Sequence, residues 1–185
     1  MRSKLLFLLQ QPLLDLRDGL APALPIDPSP GEFVKGINLG GKAVTIEGQR
    51  WDAYSHALAS GLSVPGAQEA KTYIVPRPHA SSDIRKLLNT VIFKPATLEI
   101  CQTLPNGNYS IYLWIMENFQ SNWHSLNVSI NGKSVAQGIG HFDRGSWAKY
   151  GPYPAIVTDG ALQLAISNND PDLDAHLMGL SIYRL

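Results

Sequence analysis

Trp51, Phe119 and Trp123 fall in stretches that read as loops, beside the planar hydrogen-bonding side chains Asp52, Asn118, Asn122 and His124. A sugar ring offers a face of C–H groups and a rim of hydroxyls. Exposed aromatic rings meet the first, and amides, carboxylates and imidazoles meet the second. The same rings at strand ends also serve to cap a sandwich core, so each has a structural reading beside the functional one. Trp114, inside a strand, reads as core. Trp147 and the tyrosines of "WAKYGPYP" fit a packed loop or a second aromatic surface.

Other chemistries find less support. Glu117, Asp143, Asp170, Asp172 and Asp174 are numerous enough for a glycosidase, but no spacing singles out a pair. There is no Gly-x-Ser-x-Gly elbow and no phosphate-binding glycine loop. The five histidines, His56, His79, His124, His141 and His176, show no His-x-x-x-His spacing that would hold zinc. "DPDLD" opens like an EF-hand loop, yet Ala175 stands where that loop needs glycine and Ser181 where it needs glutamate. Cys101, the single cysteine, allows no intrachain disulfide and reads as a small core residue. No enzyme is expected.

Composition narrows the class further. The 185 residues are 44% hydrophobic and 16% charged, with 15 Lys+Arg against 15 Asp+Glu. That suits one domain with a substantial core and leaves no positive excess for a phosphate backbone, so nucleic acid is not an expected partner. The N-terminal "MRSKLLFLLQQPLLDLRDGLAPALP" combines early basic residues with an apolar run that Gln10, Gln11 and Pro12 interrupt. It reads as a signal, a short amphipathic helix or the remnant of an adjoining domain, and it is too short in apolar residues to span a membrane. "APALPIDPSPG" follows as a Pro-rich linker, so residues 1–31 form an extension and 32–185 the main domain.

The elements that must position the rings are strands. "GINLGGKAVTIEG" alternates around Gly40-Gly41, and Pro105-Asn106-Gly107 separates two longer strands. In the second of these, Tyr109, Ile111, Leu113 and Ile115 share one face, while Tyr112, Trp114 and Met116 share a face that is also covered. Leu126, Val128 and Ile130 run into Asn131-Gly132, the signature of a type I′ hairpin. Asp159-Gly160 repeats that device ahead of Leu162, Leu164 and Ile166. Helical periodicity is confined to the extension and "SSDIRKLLN". The fold class is all-β, an antiparallel β-sandwich or jelly roll.

The ordered set "INLGG", "PNGNYSIYLWIMENF", "LNVSINGKSV", "GHFDRG", "VTDGALQLAI" and "NNDPDLDAHLMGLSIYRL" resembles the malectin-like carbohydrate-binding domains of the galactose-binding-like jelly rolls, over about Val34 to Leu185. The resemblance implies a non-catalytic module that binds an oligo- or polysaccharide, needs no cofactor beyond a structural calcium at most, and works outside the cytoplasm within a larger polysaccharide-handling protein. By position it places Asn118 and Phe119 at the family's aromatic pair and Asp170 at its acidic residue before the last strand. Phe93 or Leu88 stands at a tyrosine position, and Tyr73 or Tyr54 at an earlier loop tyrosine. Asn118 and Phe93 or Leu88 lack the phenol that would read a sugar hydroxyl. The residues read toward a ligand are therefore Trp51, Tyr54, Tyr73, Phe93, Asn118, Phe119, Trp123, His124 and Asp170. Two rival readings stay open: a protein-interaction jelly roll and a glycoside hydrolase.

Overall fold

A computed structural model describes residues 31–185, so nearly all of the extension lies outside the described residues. The chain opens with β1 (Glu32–Asn38), β2 (Val44–Ile46), β3 (Gln49–Ala53) and the short helix α1 (Tyr54–Ala59). β4 (Leu62–Ser63), β5 (Gln68–Lys71), α2 (Ser82–Leu88), β6 (Thr90–Pro95) and β7 (Thr97–Thr103) follow. The long strand β8 (Gly107–Met116) precedes β9 (Leu126–Ile130), β10 (Lys133–Ile139) and β11 (Trp147–Val157). β12 (Ala161–Asn168), β13 (Asp174–Leu177) and β14 (Gly179–Arg184) complete it.

A six-stranded sheet in the order β11-β8-β14-β1-β3-β2 faces a five-stranded sheet β10-β9-β12-β7-β4. The pairings between these strands are antiparallel except β1 with β3, which is parallel. The main core fills the space between them, with Ile37, Ile111 and Leu113 from one sheet against Ile100, Val128 and Leu164 from the other. A third sheet, β13-β6-β5, turns Ile92, Ala175 and Leu177 into this core.

The other face of the six-stranded sheet is also covered. Trp114 and Met116 of β8 meet Trp51, Met178 and the α2 residues Leu87 and Leu88 in a second core. Trp51 stands edge-on to Trp114 at 5.8 Å, and Trp147 stacks on Trp114, also at 5.8 Å. β8 thus buries both of its faces, as its two apolar alternations require. Gly36 on β1 is part of this arrangement, because a Cβ there would overlap the Trp51 indole.

Asn131 (φ 48°) and Gly132 (φ 76°) make the expected left-handed pair between β9 and β10. Glu47 (φ 52°) and Gly48 (φ 76°) form a second such turn, between β2 and β3. Asp159-Gly160 does not close a hairpin: β11 lies in the six-stranded sheet and β12 in the five-stranded one, so this turn crosses between layers. Cys101 is likewise not a core residue, since it sits half-buried on β7 with its side chain along a shallow recess of the outer face. α2 occupies the segment read as helical, whereas α1 forms where the sequence showed no helical period.

Candidate functional site

Glu117 follows directly on strand β8, and the loop of residues 117–125 folds back over it. Both carboxylate oxygens of Glu117 are used: Oε1 accepts from the Phe119 amide and Oε2 from the His124 amide, each at 3.1 Å. The His124 Nδ1 lies 3.0 Å from Oε2. On its other side His124 Nε2 approaches Asp174 Oδ2 at 3.4 Å, and Asp174 Oδ1 accepts the Trp123 indole N–H at 2.9 Å. His176 stacks beneath His124 with ring centroids 3.4 Å apart. Glu117, His124 and His176 are all buried, and among the described residues His176 Nε2 has no hydrogen-bond partner.

Charge follows from these contacts. Burial pushes the His124 imidazole down, but the Asp174 and Glu117 carboxylates outweigh it and hold it above its ordinary value. Asp174 is raised by burial and lowered more strongly by His124 and the Trp123 indole, which bring it to about 2. His176 is held well below an ordinary imidazole by burial and by the His124 charge above it. The contacts thus favour the charged form of His124 and the neutral form of His176.

The loop therefore owes its shape to a carboxylate and a histidine that cannot reach solvent. His124, read from sequence as a hydroxyl-binding group, is 1% exposed and committed to this network. Trp51, read as a loop ring, is on β3 in the second core and 2% exposed. Neither presents surface to solvent. Trp123 is half-buried with its N–H occupied, and it holds Phe119 edge-on at 4.9 Å, leaving Phe119 60% exposed. Asn118 is half-buried beside it, and Asp170 is exposed, its carboxylate accepting from the Asp172 amide at 3.0 Å. Phe93 on β6 is a half-buried cross-strand partner of His176, on the same side of the third sheet.

Tyr54 and Tyr73 are elsewhere. They line a cleft of about 770 Å³ whose walls are the Gly40–Val44 turn, the start of α1, the strand and loop from Glu69 to Val75, and the end of α2. Asn89, just past α2, ties two of these walls together. Its side-chain oxygen accepts from Thr72 Oγ1 at 2.9 Å and from the Ile74 amide at 2.7 Å, and its amide donates to the Ile74 and Arg85 carbonyls. Asn38 does the same for the glycine turn, donating to the Lys42 carbonyl at 2.7 Å and accepting from Thr90 Oγ1 at 2.7 Å. The polar floor is thus internally bonded and its shape is fixed.

On that floor stand groups with bonding capacity to spare. Tyr54 is buried to 6% exposure, yet among the described residues its hydroxyl makes no hydrogen bond while it lines the cleft. Burial, with the Glu69 charge adding to it, pushes its phenol up to about 12, so it stays a neutral donor and acceptor. Tyr73 is 85% exposed, with Lys71 Nζ 5.4 Å from its ring centroid. Leu58, one helical turn beyond Tyr54, and Val75 add exposed apolar surface to the rim.

The cleft and the Phe119 loop are separated by the β5–β6 pair. Gln68 and Ala70 pair with Phe93 and Val91 on one side, while Glu69 and Lys71 pair with Ile92 and Thr90 on the other. The cleft is lined by Glu69, Lys71 and Thr90, so it opens on the side opposite Phe93. The nine residues read toward a ligand divide accordingly: Tyr54 and Tyr73 at the cleft, Phe93, Asn118, Phe119, Trp123 and Asp170 toward the other loop end, Trp51 and His124 inside. Lys71, Arg85, Leu58 and Val75 were not singled out. The alternation of "QEAK" carries Glu69 and Lys71 to one side, but nothing in the sequence says that this side faces a cavity.

Among the described residues no three His, Cys, Asp or Glu side chains converge on a metal geometry, and no helix is long and apolar enough to cross a membrane. No family model and no curated protein sequence matches the chain. Solved structures do. The extracellular domain of ANXUR1 from Arabidopsis thaliana matches with a TM-score of 0.65 at 16% identity, over 82% of this chain and 48% of that one. The plant receptor-like kinase FER gives 0.62 at 10% identity, over 82% and 42%. A β-glucuronidase of Bacteroides uniformis gives 0.67 at 16% identity, over 82% of this chain and 18% of that chain. The chain thus spans less than half of each of these larger proteins, and at such identities the likeness bears on fold alone. It is a malectin-like fold, the one that the order of the sequence motifs resembles.

Proposed function

We propose that this chain is a non-catalytic carbohydrate-binding module whose glycan lies in the cleft against Tyr73. Tyr73 carries the reading: an almost fully exposed ring at the mouth of a cleft of about 770 Å³. The ring offers a stacking face for sugar C–H groups, and the Tyr54 hydroxyl below it is free to read a sugar hydroxyl. Domains of malectin-like fold are commonly carbohydrate-binding, which agrees with this assignment.

The non-catalytic part of the reading rests on the carboxylates. Glu117 is spent on two main-chain amides and His124, and Asp174 on an indole and the same imidazole. A glycosidase needs two carboxyl groups facing each other across the sugar. Among the described residues Glu69 is the one carboxylate that lines the cleft. Binding is proposed to need no cofactor, and the chain to act outside the cytoplasm as one module of a larger protein, as its fold does in the ANXUR1 extracellular domain.

Affinity for a short glycan will be weak, because one ring and a few hydroxyl contacts offset only part of the ordering and desolvation cost. A glycan array probed with the full chain and with Tyr73→Ala tests the reading. Binding of a defined glycan class by the parent and its loss in the variant, with unchanged melting temperature, is the expected result. Leu58, Tyr73 and Val75 would also suit an apolar side chain from a protein partner. A blank array at high concentration would move the assignment to that interaction reading.

A further inference from the structure

The cleft is electrostatically lopsided, although the whole chain has a net charge of zero. Lys42, Lys71, Arg85 and Lys86 line it against one carboxylate, Glu69. Lys86 is neutralised by Asp83 at 2.7 Å. Among the described residues Lys42, Lys71 and Arg85 make no ion pair, so three cations face the cavity with one anion. Charges of one sign around a concave, partly apolar wall reinforce each other more than the same charges spread over a convex surface.

Their placement matters as much as their number. Lys71 hovers over Tyr73 with Nζ 5.4 Å from the ring centroid, so a cation already stands beside the surface on which a sugar would stack. Arg85 lies in the last turn of α2, one helical turn before the Asn89 latch, and its planar guanidinium matches the two oxygens of a carboxylate or sulfate. Glu69 sits two residues before Lys71 on the same side of β5, and would repel an anion from that end and toward Lys71 and Arg85. The cleft then combines a stacking face, a neutral hydroxyl from Tyr54 and an anion-attracting side.

We propose that the cleft selects acidic saccharides, in which a sugar that stacks on Tyr73 carries a carboxylate or sulfate toward Lys71 and Arg85. The proposal rests on the carbohydrate reading of the same cleft and adds the class of ligand.

The test is a solution titration of the full chain with trisaccharides of hexuronates, each beside its carboxyl-reduced neutral counterpart, and with sulfated trisaccharides of the same backbone. The carboxylated or sulfated sugar is expected to bind about tenfold more tightly than its neutral counterpart, and the preference to fade when salt rises from about 0.05 to about 0.5 M. Which acidic arm binds tells carboxylate from sulfate. The double substitution Lys71→Gln with Arg85→Gln, both exposed, should abolish the preference, so that acidic and neutral sugars bind the variant equally. Tyr73→Ala should weaken both. Equal binding of acidic and neutral sugars, or a preference that survives the double substitution, overturns the charge selection while leaving a carbohydrate module standing. Failure of every sugar to bind the folded chain overturns the carbohydrate reading, and this proposal with it.

Discussion

Glu117 is the residue on which the loop of residues 117–125 depends. Its carboxylate holds two loop amides and the His124 ring at 0% exposure, so Glu117→Gln removes the countercharge from a buried imidazolium and one acceptor from the loop. A loss of about 2–4 kcal/mol is expected, read as a lower denaturant midpoint with an unchanged slope. The stacked histidines make a separate pH prediction. His124 is raised in the folded chain, so its contribution is complete below about 6.5, the unfolded value, and is lost as pH climbs through the folded value. His176 is depressed, so its contribution is complete above about 6.5 and is lost as pH falls below it, where the unfolded chain takes up a proton that the folded chain refuses. Between them, stability should peak near that ordinary imidazole value. Replacing His176 by Asn should flatten the acid limb down to about pH 4 and spare the alkaline limb, in melting temperatures taken across that range. Below that, Asp174 contributes: its depressed value of about 2 means that stability present above the ordinary carboxylate range is lost as pH drops through it. An acid limb that persists unchanged in His176→Asn would contradict the assignment of a neutral His176.

At the scale of elements, strands were legible where the alternation of side chains matched two covered faces. Tyr109, Ile111, Leu113 and Ile115 enter the main core and Trp114 and Met116 the second one, as the pattern of β8 demands. Asn131-Gly132 announced its hairpin because both residues tolerate a left-handed backbone. Asp159-Gly160 carries the same chemistry and crosses between sheets, since a turn signal specifies a reversal and says nothing of which strand is met afterwards. Trp51 was misplaced for a related reason. "QRWDA" looks like a loop by composition, and only the pairing of β3 with β1 and β2 reveals that its one ring points at Trp114. His124 had no signal at all, because the partners that bury it, Asp174 and His176, lie about fifty residues away. Gly36 tests this element-scale account. Gly36→Ala drives a methyl group into the Trp51 indole, and a loss of about 1–3 kcal/mol is expected, with changed near-ultraviolet dichroism from the displaced tryptophans. A variant as stable as the parent would show that Trp51 and Trp114 are not packed as described.

On the scale of the whole molecule, two faces of one β5–β6 pair carry different kinds of surface. One bears Phe93 and looks toward the loop pinned by Glu117, whose exposed ring is Phe119. The other forms the wall of a fixed, internally bonded cleft with Tyr54 and Tyr73. The fold could be read from motif order along the chain. The cleft could not, because its four walls come from segments far apart in sequence, and Tyr54 and Tyr73 meet only once Asn38 and Asn89 have latched those segments together. Chemical-shift mapping of the full chain during a saccharide titration would show, residue by residue, whether sugar binds in that cleft. Perturbed resonances are predicted to cluster at Tyr54, Leu58, Tyr73 and Val75 and to spare the amides of Phe119 and Trp123. Shifts confined to the Phe119 loop, with the cleft silent, would contradict binding there.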